Sequence, residues 1–218
     1  RPLLASLRSM GMNVELLQFD AGEPSKTLGT AARLFDQLLE MGLTRDDTLI
    51  ALGGGVVGDM TGFVASTFLR GIDFIQVPTT TLAAVDSSIG GKTAVNTPRG
   101  KNLVGTFHAP KGVFIAISHL ATQAREQHGA GLVEALKMAA TLDESLFETI
   151  SDQAPSLLNY DAQTLLPRDR AHLLRGSRKL GRPGFSSLRP GPDRARKAHG
   201  GSAPNRGLLL AQLLLARQ

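Results

Sequence analysis

Apolar positions recur along the chain with two alternating periods. Val14, Leu16, Leu17 and Phe19 fall in one short run, Asn13 to Phe19, the size of a strand. The polar loop Ala21–Lys26 follows, with Ser25 placed to cap a helix. Leu28, Ala31, Ala32, Phe35, Leu38 and Leu39 then share one helix face ending near Gly42. Thr48 to Leu52 is apolar on both faces, as a buried parallel strand is. It runs into Gly53-Gly54-Gly55, after which Val56 to Leu69 returns to helical spacing. Asp73 to Val77 predicts another strand, closed by Pro78, and Val113 to Ile117 a further one. From Thr122 to Thr141 the spacing is helical, and Glu144–Ile150 and Pro155–Leu158 continue it. The leucine run Leu208–Leu215 predicts one short helix without a partner face.

Strand, helix, strand, glycine turn, helix is the order of a doubly wound α/β domain. The change to helices alone predicts a division near residue 120. The expected organisation is an α/β domain over 1–120, a partial all-α domain over 121–175 and a tail over 176–218. Residues 176–207 hold seven Gly and four Pro but only three Leu, Ile, Val or Phe. Such composition buries too little apolar surface to offset chain entropy, so the tail is expected to be disordered.

Charge divides at the same place. Residues 168–218 carry twelve Lys/Arg against two Asp/Glu, while residues 1–167 carry twelve against seventeen. The net charge of +5 therefore belongs to the tail. Without aromatic residues interleaved regularly with those cations, or a reading motif, no nucleic-acid partner is expected. The chain has no cysteine, which excludes disulfides and thiolate zinc sites and fits a cytoplasmic protein. No apolar run reaches the roughly 20 residues of a membrane helix. The chain starts at Arg1, so its true beginning is expected upstream.

Several polar residues have two readings. The glycine turn into a helix suits a phosphate, and equally suits a tight turn with no ligand. Asp59 in the helix either stabilises its dipole or accepts a ribose or substrate hydroxyl. Thr79 and Thr80 can cap the next helix or meet phosphate and ribose oxygens. Arg70, Lys92 and Lys101 are singly surface charges; with Asp86 and Asn102 they could clamp a phosphorylated polyol. Glu134 and Lys137 lie three apart on one helix face, either a surface pair or, in apolar surroundings, a metal ligand with its neighbour. His108, His119, His128, His172 and His199 show no metal spacing.

The segments Gly53–Gly71, Val77–Leu82, Val85–Asn96 and Gly100–Asn102, in this order, closely resemble the 3-dehydroquinate synthase family. The resemblance covers roughly residues 10–150. It implies a Rossmann-like NAD-binding domain followed by a zinc- and substrate-binding helical domain, and a cytoplasmic homodimer. It implies that Gly22, Glu23, Lys26, Gly54, Gly55, Asp59, Thr79, Thr80, Lys101 and the segment His119–Thr122 belong to the NAD site. Arg70, Asp86, Lys92, Asn102, Glu134 and Lys137 match substrate positions. Lys92 also approaches the nicotinamide, and Lys92 and Lys137 match catalytic positions. Glu134 matches a ligand of zinc, or of another divalent cation such as cobalt. The implied reaction converts 3-deoxy-D-arabino-heptulosonate 7-phosphate to 3-dehydroquinate and phosphate in the shikimate pathway of aromatic amino acid biosynthesis.

The departures are specific. The family's two histidine zinc ligands, one in an Asn-Phe-Gly-His-Thr-x-Gly-His type motif, have no counterpart here, and the Arg/Gly/Pro-rich tail stands in their place. Ala130 replaces a usual Asn, Val133 a usual Ala, and the family's first strand would precede Arg1. A shift of reading frame near residues 168–178 is the expected origin of the tail, and the chain as written is expected to lack synthase activity. Other readings are another sugar phosphate cyclase, a glycerol-dehydrogenase-like oxidoreductase and a non-catalytic remnant.

Overall fold

The computed structural model describes residues 2–160 and 207–212. Its centre is a five-stranded parallel sheet in the order β1-β7-β2-β3-β6. These strands are β1 (Asn13–Leu17), β2 (Thr48–Gly53), β3 (Asp73–Pro78), β6 (Gly112–Val113) and β7 (Gly207–Gln212). Helix α1 (Pro2–Ser9) leads into β1, α2 (Leu28–Glu40) joins β1 to β2, and α3 (Gly55–Thr67) joins β2 to β3. An antiparallel hairpin, β4 (Lys92–Thr97) and β5 (Gly100–Phe107), lies beside α3. After β6 the chain is helical: α4 (Ile117–Leu120), α5 (Arg125–Leu142), α6 (Glu144–Asp152) and α7 (Ala154–Leu158).

Alternation along the strands splits the core into two layers. On one face Leu17, Leu49 and Phe74 join Ala31, Leu34 and Leu38 of α2 and Met60, Phe63 and Val64 of α3. On the other, Val14, Ile50, Leu52 and Val77 meet Leu3, Leu4 and Leu7 of α1. Full burial of side chains of this size stabilises the fold by about 1.5–3 kcal/mol each. Helix α3 comes close to the sheet because Gly62 lacks a side chain: a Cβ there would stand 2.4 Å from Thr93 Cγ2 and 3.1 Å from the ring of Phe74.

The α/β order expected from the sequence is present, with differences that have local causes. Thr27, not Ser25, caps α2, because Ser25 lies in a 3-10 turn (Glu23–Ser25) while the Thr27 side chain accepts from the Thr30 N–H. The strand expected at Val113–Ile117 shrinks to two residues, since α4 begins at Ile117. Helix α1 and the β4–β5 hairpin were not anticipated. The expected helix at Leu208–Leu215 is overturned: Gly207–Gln212 is a strand. A helix of eight residues is costly to nucleate, whereas β1 and β2 offer it two rows of backbone partners. The expected disorder over 176–207 lies outside the described residues, except for Gly207 at the start of β7. No helix among the described residues is long and apolar enough to cross a membrane.

Candidate dinucleotide site

The carboxyl end of β2 delivers the glycine turn to the edge of the sheet where α/β folds bind ligands. The Gly53 carbonyl accepts from Thr79 N at 2.9 Å, which ties the turn to the end of β3. Among the described residues no side chain caps α3. Gly54 lies against Thr80, where a Cβ would meet Cγ2 at 3.3 Å, and Gly55 lies against Ser87, where a Cβ would meet Oγ at 3.2 Å. The Ser87 Oγ is buried with no hydrogen-bond partner among the described residues. A helix start whose first N–H groups lack a side-chain cap is a setting that favours an anion.

One turn into α3 stands Asp59. Its carboxylate accepts from Lys26 Nζ at 2.5 Å, and the same ammonium donates to Asn102 Oδ1 at 2.5 Å. Lys26 is only 3% exposed. Asn102, at φ 57°, donates its backbone N–H to Asn96 Oδ1 at 2.9 Å, and Asn96 Nδ2 donates to Glu23 Oε1 at 3.1 Å. Asn96 N also donates to the Lys26 carbonyl, and Lys101 Nζ lies 3.9 Å from Glu23. The loop after β1 is thereby stitched to the tip of the β4–β5 hairpin. Burial pushes the Asp59 carboxyl above its usual range, against the opposing pull of Lys26; the negative charges of Glu23 and Asp86 push the same way. The cost of desolvation exceeds the attraction of one ammonium here.

The predicted site residues therefore separate. Glu23, Lys26, Gly54, Gly55, Asp59, Thr79, Thr80, Lys101 and Asn102 surround the start of α3, and Asp86, in a π-helical turn (Ala83–Ser87), lies close enough to act on Asp59. Gly22, at φ 92°, leads into the 3-10 turn that carries Glu23. Arg70 lies past the end of α3, with its neighbour Leu69 also in the left-handed region. Lys92 opens β4 opposite Phe107, the hairpin end away from Asn96 and Asn102. Thr122 is exposed and donates to the His119 carbonyl.

Glu134 and Lys137 pair with each other on α5, with the Lys137 side chain 65% exposed. Glu134 is half-buried, as its apolar surroundings suggested, but among the described residues no three His, Cys, Asp or Glu side chains gather to hold a metal. The described residues do not fit a zinc site; they do fit a dinucleotide phosphate at the uncapped start of α3.

Of the histidines without metal spacing, His128 proves structural, and with Gln123, which the sequence did not single out, it joins α5 to this site. His128 is fully buried, with Nδ1 2.6 Å from the Thr81 hydroxyl and Nε2 2.8 Å from the Leu157 carbonyl. Gln123 Nε2 donates to the Thr81 hydroxyl at 2.7 Å, and Gln123 Oε1 accepts from Thr81 N. The carbonyl of Leu157 needs a donor, so Nε2 carries the proton and the Thr81 hydroxyl donates to Nδ1. Tyr160 stacks on the ring at 4.1 Å. A lone histidine without spacing partners gives no sequence signal for such a role.

Comparison with known proteins follows the same outline. Residues 16–130 match the 3-dehydroquinate synthase N-terminal family. A 3-dehydroquinate synthase of Prochlorococcus marinus is 46% identical over 168 residues, which cover 76% of this chain and 46% of that protein. One from Enterococcus faecalis is 56% identical over 145 residues, 66% of this chain and 40% of that one. The chain thus spans about half the length, or less, of the curated relatives it matches. Among solved structures, 2-epi-5-epi-valiolone synthase from Streptomyces hygroscopicus, with NAD+ and Zn2+ bound, is 30% identical with a TM-score of 0.69, over 81% of this chain and 48% of that one. A 2-deoxy-scyllo-inosose synthase complexed with carbaglucose-6-phosphate, NAD+ and Co2+ is 39% identical with a TM-score of 0.59, over 62% and 36%.

Proposed function

The chain belongs to the 3-dehydroquinate synthase family, and on that premise we propose that it is the dinucleotide-binding part of a sugar phosphate cyclase, holding NAD at the start of α3. The observation that carries this reading is the uncapped helix start behind Gly53–Gly55, flanked by the Lys26–Asp59–Asn102 contacts. The N–H groups of Gly55 and Val56, at the uncapped start of α3, would hold the NAD pyrophosphate. Asp59 and Glu23 supply acceptors for ribose hydroxyls, and Lys26 and Lys101 balance the phosphate charge. Bound NAD would supply the hydride acceptor of a transient oxidation.

The full reaction on 3-deoxy-D-arabino-heptulosonate 7-phosphate is assigned to the family, and Arg70, Asp86, Lys92, Asn102, Glu134 and Lys137 to substrate contacts within it. Lys92 also stands as the nicotinamide contact, Lys92 and Lys137 as catalytic groups, and Thr122 as part of the NAD wall. The division near residue 120 and a homodimer belong to the same proposal. A catalytic zinc takes three protein ligands, of which the resemblance assigns Glu134 in this chain. The bound NAD+ of both solved relatives supports the cofactor; the higher identity of the curated 3-dehydroquinate synthases favours that substrate over those of other cyclases.

Calorimetric titration of NAD into the purified chain tests the proposal. Measurable binding is expected, weakened about tenfold or more by Asp59→Asn, the loss of one hydrogen bond to a charged group. Unchanged affinity in that variant would remove Asp59 from the site, and no binding at all would overturn the reading.

A further inference from the structure

Three successive threonines follow β3, and each is held by a different part of the chain. Thr79 N donates to the Gly53 carbonyl at 2.9 Å, at the glycine turn. Thr80 lies against Gly54, and its hydroxyl accepts from Ala83 N at 3.3 Å, at the start of the π-helical turn that carries Ser87 to Gly55. Thr81 is engaged by the junction between α4 and α5 instead.

That engagement is directional throughout. Thr81, Gln123 and His128 are all buried. The Thr81 N–H can only donate, so the oxygen of the Gln123 amide must face it, at 3.1 Å. The amide nitrogen is then left to donate to the Thr81 hydroxyl at 2.7 Å and to the Leu120 carbonyl at 2.8 Å. A hydroxyl that receives from Gln123 has its own proton free for His128 Nδ1, and Nε2 of that ring donates to the Leu157 carbonyl. Donation therefore runs one way, from Gln123 through Thr81 and His128 to Leu157. Tyr160 closes the outside, its ring on His128 and its hydroxyl donating to the carbonyls of Gln123 and Ala124 at 3.0 and 3.2 Å. α5 also meets the segment directly: a Cβ on Gly131 would stand 2.6 Å from Leu82 N and 2.7 Å from Thr81 Cβ. Apolar side chains could fill the same volume, but their attraction is non-directional. A fully satisfied buried network selects one arrangement of the backbone it holds.

We propose that Gln123 and His128 are positioning residues for the dinucleotide site: acting through Thr81, they fix Thr79 and Thr80 against Gly53 and Gly54 and so raise the affinity for NAD. The proposal rests on the dinucleotide reading above. A ligand binds with full affinity only to the fraction of molecules whose site is in place, so a threonine segment released for about two-thirds of the time weakens binding about threefold. By linkage, bound NAD favours the engaged form of the network in return.

Thr81→Val keeps the shape of the side chain and removes its hydroxyl, Gln123→Met removes both amide groups, and Thr81→Ser keeps every polar atom. Calorimetric titration should give NAD dissociation constants raised about threefold or more in the first two variants and within about twofold of the parent in Thr81→Ser. Leu38→Ala opens a cavity in the core under the last turn of α2. It should lower the urea midpoint at least as far as the network variants do and leave NAD affinity unchanged, which a network that only added stability would not allow. Unchanged affinity in Thr81→Val and Gln123→Met, or a loss in Leu38→Ala as large as theirs, would overturn the positioning role, while NAD binding by the parent keeps the dinucleotide reading. No binding by the parent would overturn both. The unsubstituted chain gives a second test, independent of whether any variant folds. In the ring-nitrogen resonances of its histidines, His128 Nδ1 should read as an acceptor and Nε2 as protonated, and Nδ1 should shift as NAD is added, saturating at the calorimetric dissociation constant. A His128 ring that does not respond to saturating NAD would overturn the role.

Discussion

At the scale of single residues the site turns on Lys26 and Asp59, 33 positions apart and in contact at 2.5 Å. Asp59 has a consequence for pH. Its carboxyl is raised from the ordinary value of 3.8, mainly by burial, so the folded chain holds its proton to higher pH than the unfolded chain. Between those two values the folded state binds more protons, and stability therefore falls as pH climbs through that window. In Asp59→Asn this contribution is gone. Urea unfolding followed from about pH 4 upward should show a flatter decline for the variant than for the parent; parallel curves would mean that Asp59 titrates alike in both states. The family resemblance made both residues legible as candidates. Their pairing was not, because spacing in sequence says nothing about a contact between a loop and a helix.

At the scale of elements, the long periodic segments were readable and the short ones were not. α2 and β2 stand within a residue or so of where their apolar spacing put them, because burial on one face fixes both period and length. The β4–β5 hairpin escaped notice since Thr97-Pro-Arg-Gly100 looked like a loop rich in donors, and β5 is largely exposed, Phe107 to 83%. β7 escaped because periodicity cannot tell a short apolar strand from a helix. The junction of α5 with the Thr79–Thr81 segment allows a quantitative check. His128→Ala takes the acceptor from the Thr81 hydroxyl, strands the Leu157 carbonyl and removes a stacked ring, so a loss of about 2–5 kcal/mol is expected by denaturant titration. A loss below about 0.5 kcal/mol, the scale of an ordinary surface change, would show that α5 is held by its apolar contacts alone.

At the scale of the whole molecule, the chain joins a site that fits a dinucleotide to a helical segment with one half-buried carboxylate already engaged by Lys137. The expected outcome is asymmetric. NAD should raise the melting temperature by mass action, whereas zinc at equal concentration should leave it unchanged, and phosphate release from 3-deoxy-D-arabino-heptulosonate 7-phosphate should stay at background with both present. A metal-dependent rate would mean that other side chains complete a metal centre. The family-like order of motifs made this division readable; the place of residues 207–212 was not, since it depends on distant strands that only the folded sheet brings beside it. That placement also bears on speed. β7 pairs with strands that lie more than 150 positions earlier in the chain, and pairing across so long a separation must close a large loop before its contacts form, so refolding of the sheet from denaturant should be slow beside the formation of the helices.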